Sequence, residues 1–157
     1  MELIKAAGPE ATAKLDEELD LIGIVDSWME YVITHTNKTN GWIGPYLNEP
    51  GDSNGHGLWD PLNMIRSLLN YAQAHPEKEL QIAKIVTAHL TQESKLIKTD
   101  PIYKWAQTRW PTFVEICQYT IDKFVPKYGS DASVMPLGAA ATTQMLLEAS
   151  VLFQSRG

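Results

Sequence analysis

Residues 37–58 constrain the fold of this chain more than any other segment, because they are crowded with turn-forming pairs. The pairs are Asn40-Gly41, Gly44-Pro45, Pro50-Gly51 and Asn54-Gly55. Glycine, proline and asparagine at this density exclude a regular helix or strand through the whole segment. Ordering so long a loop costs conformational entropy, so loops of this kind commonly have a function. The loop is therefore the first place to look for a site.

Amphipathic helical patterns lie on both sides of this loop. Apolar residues recur there at three- and four-residue steps, which predicts helices over residues 11–36, 61–75, 77–98, 111–125 and 137–155. Asp60 is a favoured helix cap, and Pro61 suits the first helical position. His75-Pro76 then allows only a very short turn between two helices, which predicts an antiparallel hairpin. The expected fold class is all-α, with five to six helices in antiparallel hairpins.

Composition is that of a globular protein and excludes several classes of partner. The chain of 157 residues is expected to form a single helical domain, with 44% hydrophobic and 20% charged residues. Its net charge is -6 and it has no basic stripe, so we expect no nucleic-acid partner. No apolar run approaches the length of about 20 residues that spans a bilayer, so we expect no membrane partner. Localisation stays open, because the N-terminus lacks the apolar core of a signal peptide while Asn37-Lys38-Thr39 is a glycosylation sequon.

Large aromatic residues cluster at the breaks between the predicted helices. They are Trp42, Tyr46, Trp59, Trp105 and Trp110. Aromatic rings can stack on the apolar faces of sugars, and ligand pockets commonly combine apolar walls with a few placed polar groups. The alternative is ordinary packing of large rings at helix ends. Both interpretations can hold for different rings.

Polar residues of the loop and of the following helix complete the candidate site. Asp52, His56 and Asp60 are spaced at four residues and could converge on a ligand, although such residues more often form turns and caps. Asn63 and Arg66 lie on the polar face of the helix that follows, where they could bond sugar hydroxyls.

Two residues with reactive side chains fall on apolar helical stripes. Cys117 is the single cysteine and is expected to act as a small core hydrophobe. His89 is expected to be a hydrogen-bonded core histidine. The sequence contains no H-x-x-x-H, C-x-x-C, P-loop, dinucleotide or G-x-S-x-G pattern, so no metal and no cofactor is expected.

The order of these features resembles one family of glycoside hydrolases. The elements are G-W-I-G-P, then L-W-D-P-L-N-M-I-R-S-L-L-N-Y-A, a second helix ending in H-L, and W-A-Q-T-R-W. In this order they resemble the hydrolases related to β-L-arabinofuranosidases, whose fold is an (α/α) toroid. The resemblance covers about residues 28–125, and residues 133–157 match nothing in it.

The resemblance implies part of a toroid whose loop ends face a carbohydrate. It places Trp42, Trp59, Asn63, Trp105 and Arg109 as walls or supports of that site. Members of the family use a cysteine nucleophile on zinc together with a glutamate. Here Cys117 lies in no matching motif, and the nearest carboxylate at the second helix is Asp60.

Two functions remain open from the sequence. The first is a hydrolase of polysaccharide side chains, with Asp60 and Asp52 as its catalytic carboxylates, or a truncated and inactive relative of such a hydrolase. Trp42, Tyr46, His56, Trp59, Asn63, Arg66, Trp105 and Arg109 would then bind the substrate. The alternative is a non-catalytic domain that binds sugar or another protein. A partial toroid would expose apolar helix faces, which predicts self-association.

Overall fold

The computed structural model describes residues 20–37, 40–44, 59–99 and 104–156, and every regular element in these ranges is helical. The predicted all-α class is therefore confirmed. The chain divides into two compact units, one ending at His35 and the other beginning at Thr36. None of the described helices is long and apolar enough to cross a membrane.

The first unit contributes helix α1, Leu21–His35. Asp20 precedes it with a φ of 45°, and its Oδ1 accepts a hydrogen bond of 3.2 Å from the N–H of Gly23. This satisfies one of the amide groups that a helix start leaves without a partner. The helix was predicted over residues 11–36, and residues 11–19 lie outside the described ranges. Of its predicted apolar stripe only Ile33 is buried, while Trp28 is 61% exposed.

The second unit contains the remaining described helices. Helix α2 is Trp59–Ala74, a 3-10 turn follows at Pro76–Lys78, and α3 is Glu79–Thr99. A 3-10 segment, Lys104–Arg109, leads into α4, Trp110–Tyr119. A π turn at Thr120–Phe124 connects α4 to the short α5, Val125–Tyr128, and the last helix α6 is Gly138–Arg156.

The core of this unit lies where α3 and α4 each pack against both α2 and α6. The rings of Phe113 and Phe153 meet edge to face there, with centroids 5.5 Å apart. Other fully buried side chains come from each of the four helices, among them Ile65, Leu68, Ile82, Leu90, Ile116 and Leu146. Each such side chain contributes roughly 1.5–3 kcal/mol through removal from water.

Two predicted helix boundaries are wrong. Helix α2 begins at Trp59, so Asp60 lies inside its first turn and is not the residue before it. Pro126 was expected to end the helix that begins near Pro111, yet the helical path continues through it to Tyr128. A proline crowds the carbonyl four residues earlier, and the π turn directly before Pro126 widens the helix at that point. Gly129 follows directly after the last helical residue, Tyr128.

Candidate functional site

Several predicted site residues cannot be placed. Asp52, Tyr46 and His56 lie outside the described residues. Trp59 and Asp60 occupy the first turn of α2, but their side chains lie outside the described part of the structure. The same holds for Trp105 in the 3-10 segment.

Arg109 is the last residue of the 3-10 segment that also contains Trp105. A 3-10 helix has about three residues per turn, so residues three apart are in line and residues four apart are not. The segment Lys104–Arg109 has this form. Arg109 is partly buried at its end.

Trp42 does not form an exposed wall. Its side chain is only 5% exposed, and its indole is stacked on the imidazole of His89 with centroids 4.3 Å apart and an interplanar angle of 27°. One face of the ring is thus occupied by protein, and the ring is removed from solvent. This burial favours the alternative of ordinary packing for Trp42, and its part in a sugar site stays a prediction.

Residues 40–44 form a short strap that lies on α3. The N–H of Gly41 donates to the carbonyl of Asn37 at 2.8 Å, and the N–H of Asn37 donates to the carbonyl of Trp42 at 3.1 Å. Gly41 has a φ of +71°, and a Cβ there would lie 2.4 Å from the Cβ of Ala88. Only glycine therefore permits both this turn and this close approach to α3.

A buried polar pair lies beneath the strap. The N–H of Ile43 donates to Nδ1 of His89 at 3.1 Å, which confirms the hydrogen-bonded core histidine. On the other side of the ring, Nε2 lies 3.3 Å from Oε2 of Glu93, and both side chains have no exposed surface. The contact is close but lies outside the direction of the ring N–H, and neither oxygen of Glu93 has a hydrogen-bond partner within the described residues. Burial raises the pKa of Glu93, and the neighbouring His89 opposes that rise.

Cys117 lies against the same polar region. The thiol is buried in α4 with Ser150 and Glu93 nearby. Burial raises its pKa, the Ser150 hydroxyl opposes this, and the carboxyl of Glu93 adds to it. A thiol held protonated and away from solvent is a poor nucleophile. The predicted core role of Cys117 is confirmed.

A polar cleft lies between α2 and α4, away from the strap. Its volume is about 140 Å³, and the residues that line it are Arg66, Leu69, Asn70, Gln73, Glu115, Ile116 and Tyr119. Nη2 of Arg66 lies 3.4 Å from Oε1 of Glu115, and both side chains are about half exposed, at 50% and 59%. The ring of Tyr119 meets that of Phe124 edge-on, with centroids 5.4 Å apart.

The cleft contains one predicted site residue and several that were missed. Arg66 was predicted as a binding residue, and exposed Asn63 lies one turn before it on α2. Glu115 and Tyr119 were not predicted. Their four-residue spacing beside the buried Ile116 marked them as neighbours on a helix face, but nothing in the sequence indicated that this face meets α2.

A second concavity is apolar and lies between α5 and α6. It has a volume of about 520 Å³ and is lined by Val125, Ala139, Ala140, Thr143, Gln144, Leu147 and Glu148. Leu147 is half exposed on its rim. No group of three or more His, Cys, Asp or Glu side chains that could hold a metal ion occurs among the residues that the structure describes.

No protein-family model matches the chain, and no curated protein or solved structure is detectably similar to it.

Proposed function

We propose that this chain binds a carbohydrate without transforming it, in the polar cleft between α2 and α4. One observation carries the proposal: five of the seven side chains that line the cleft bear hydrogen-bonding groups, two of them of opposite charge. Sugar hydroxyls both donate and accept, so they are matched by a wall that mixes a guanidinium, two amides, a carboxylate and a phenol. Leu69 and Ile116 supply the small apolar floor that a sugar ring also requires.

Arg66 is the main polar group of this site. Within the described residues, its fork of five N–H donors makes a single 3.4 Å approach to Glu115. An exposed pair of this geometry contributes about 0–1 kcal/mol, so a ligand can displace it at little cost. The guanidinium could then bond two adjacent hydroxyls, as its planar geometry favours.

The size of the cleft limits the ligand. Pockets that bury drug-sized ligands have volumes of about 300–1,000 Å³. The cleft has about 140 Å³ and therefore suits part of one sugar ring, with the rest of the ligand in solvent. We expect such a site to bind a terminal or branching sugar weakly.

Binding is preferred to hydrolysis for a chemical reason. The common mechanism requires two carboxyl groups about 5–10 Å apart on either side of the scissile bond. Among the described residues that line the cleft, Glu115 is the only carboxylate, and it already faces Arg66. Hydrolysis by Asp60 and Asp52, and the toroid arrangement of the helices, stay predictions from the sequence resemblance.

The test is a panel of mono- and oligosaccharides titrated into the ¹⁵N-labelled chain. We expect amide shift changes at residues 66–73 and 115–119 that saturate with one or a few of the sugars. Arg66→Ala and Asn70→Ala should weaken this binding at least tenfold. Lys98→Ala is the matched control, since Lys98 also forms an exposed ion pair between helices, at 3.2 Å from Glu148, outside the cleft.

Two results would overturn the proposal. The first is a panel in which no sugar shifts the cleft amides. The second is binding that Lys98→Ala weakens as much as Arg66→Ala does, because the cleft would then have no special part in it. Release of a reducing sugar by the wild-type chain would instead favour the hydrolase.

A further inference from the structure

Two residues of the strap, residues 40–44, contact the side chain of His89 on α3. Within the strap, the indole of Trp42 covers the imidazole of His89 and the next amide, that of Ile43, donates to Nδ1 of the same ring. The far end of the strap lies near the start of α2, where a Cβ on Gly44 would be 3.4 Å from Cγ of Pro61. His89 therefore holds the middle of the strap.

The hydrogen bond from Ile43 fixes the protonation state of this ring. A backbone N–H can only donate, so Nδ1 must carry a lone pair and the neutral ring must carry its proton on Nε2. A protonated imidazole has donors on both nitrogens, which would set two N–H groups against each other at 3.1 Å. The closed strap is thus compatible with neutral His89 only.

We propose that the strap is a pH-sensitive latch: protonation of His89 releases residues 40–44 from α3 while the helical core stays folded. The released state exposes the ring to water and allows it to bind the additional proton. Acid therefore shifts the population towards the released state by mass action.

Some of the groups around His89 favour its protonation and others oppose it. A charged imidazole would be attracted by the face of the stacked Trp42 ring. Against this, it would lose the hydrogen bond from Ile43 and would be a charge with no exposed surface, which is unfavourable unless it is paired. The strap itself contributes no titratable group.

Glu93, on α3, lies next to the ring, and Cys117, on α4, lies near Glu93. An ionised Glu93 would stabilise a charged His89. Burial raises the pKa of Glu93, so its carboxyl is neutral over a wider range of pH than usual and offers less of this compensation. Burial also raises the pKa of Cys117, which stays neutral throughout. Ser150, beside Cys117 on α6, does not titrate.

The test is amide hydrogen exchange on the ¹⁵N-labelled chain from about pH 7.5 to about pH 5, corrected for intrinsic exchange. We expect the protection of the Ile43 amide to fall as the pH falls, by up to about tenfold per pH unit, as release coupled to one proton requires. The amide of Ile116, in the core of α4, should keep its protection. Equal loss at both amides would mean global unfolding and would overturn the latch, as would an Ile43 protection that does not change with pH.

Two variants and one spectrum test whether His89, and not another group, is responsible for the pH dependence. In His89→Gln the side-chain oxygen can accept from Ile43 without titrating, so protection should be independent of pH. His75→Gln is the matched control, because His75 stacks on Tyr71 with centroids 4.1 Å apart but lies away from the strap, and it should behave as wild type. If His89→Gln does not fold, the ring nitrogen shifts of wild type decide: a proton on Nδ1 at neutral pH would refute the latch.

Discussion

The indole of Trp42 is stacked on the imidazole of His89, with centroids 4.3 Å apart and planes inclined by 27°, and the Ile43 amide donates a hydrogen bond to Nδ1 of the same ring. A loop and the middle of α3 are joined by this contact. The ring that the sequence offered as a platform for sugar is thereby part of the core. The candidate binding surface lies instead on α2 and α4, around Arg66 and Glu115.

Trp42→Ala should destabilise the fold. The ring is 95% removed from solvent, and truncation of a buried tryptophan costs about 3–5 kcal/mol through lost burial and the cavity left behind. Trp28→Ala is the control, because Trp28 on α1 is 61% exposed and its truncation should change stability by less than about 0.5 kcal/mol. Urea unfolding followed by circular dichroism measures both. A Trp42→Ala variant as stable as wild type would contradict the packing role.

The helices could be predicted because their signal is local. Helix α6 was expected over residues 137–155 and is found at Gly138–Arg156, since its content of alanine and leucine is a property of the segment itself. The helical path was predicted to end before Pro126. This was wrong because a π turn accommodates the proline, and no residue spacing indicates a π turn.

The site could be predicted much less well, because it depends on which helix faces meet. Arg66 was identified as polar and accessible, but its approach to Glu115 is decided by the packing of α2 on α4. The burial of Trp42 likewise depends on His89, which is remote in sequence. The sequence shows the chemical character of each side chain near the loop, but it does not show which distant residues those side chains contact.

Gly41→Ala should open the strap and lower stability by more than about 1 kcal/mol. The substitution strains a φ of +71° and drives a Cβ to within 2.4 Å of the Cβ of Ala88. Gly138→Ala is the matched control: its φ is +75°, but nothing lies within 4 Å of a Cβ there, so only the strain remains. Thermal unfolding compares the two. Partial rescue of Gly41→Ala by Ala88→Gly would locate the clash, and equal effects of the two glycine substitutions would refute it.

Cys117 should resist thiol reagents in the folded protein. The side chain is 2% exposed, and burial raises the pKa of its thiol, so little thiolate is present to react. We expect Ellman's reagent to label less than about a tenth of the chain under native conditions and all of it in denaturant. Rapid native labelling would show that α4 opens or that the thiol is accessible, and would reopen a chemical role for it.

Glu93→Gln should change how stability depends on pH. Burial raises the pKa of Glu93 above its ordinary value of 4.5, so the folded state binds its proton more tightly than the unfolded state does. The contribution of this group is complete below about pH 4.5 and is lost as pH rises through the folded pKa, with a slope of up to about 1.4 kcal/mol per pH unit. The glutamine variant cannot ionise, so above this window it should be more stable than wild type.

Glu148→Gln should change the pH dependence of stability in the opposite direction. Hydrogen bonds from Gln144 and Lys98 lower the pKa of this exposed carboxyl, so its stabilising contribution is present at neutral pH and is lost as pH falls through the folded pKa. Urea unfolding of both variants and wild type at several pH values between about 4 and 9 measures the two trends together. If Glu93→Gln is less stable than wild type throughout this range, the buried carboxyl contributes more as a hydrogen-bonding or charged group than its burial costs, and His89 and Glu93 form a stabilising ion pair.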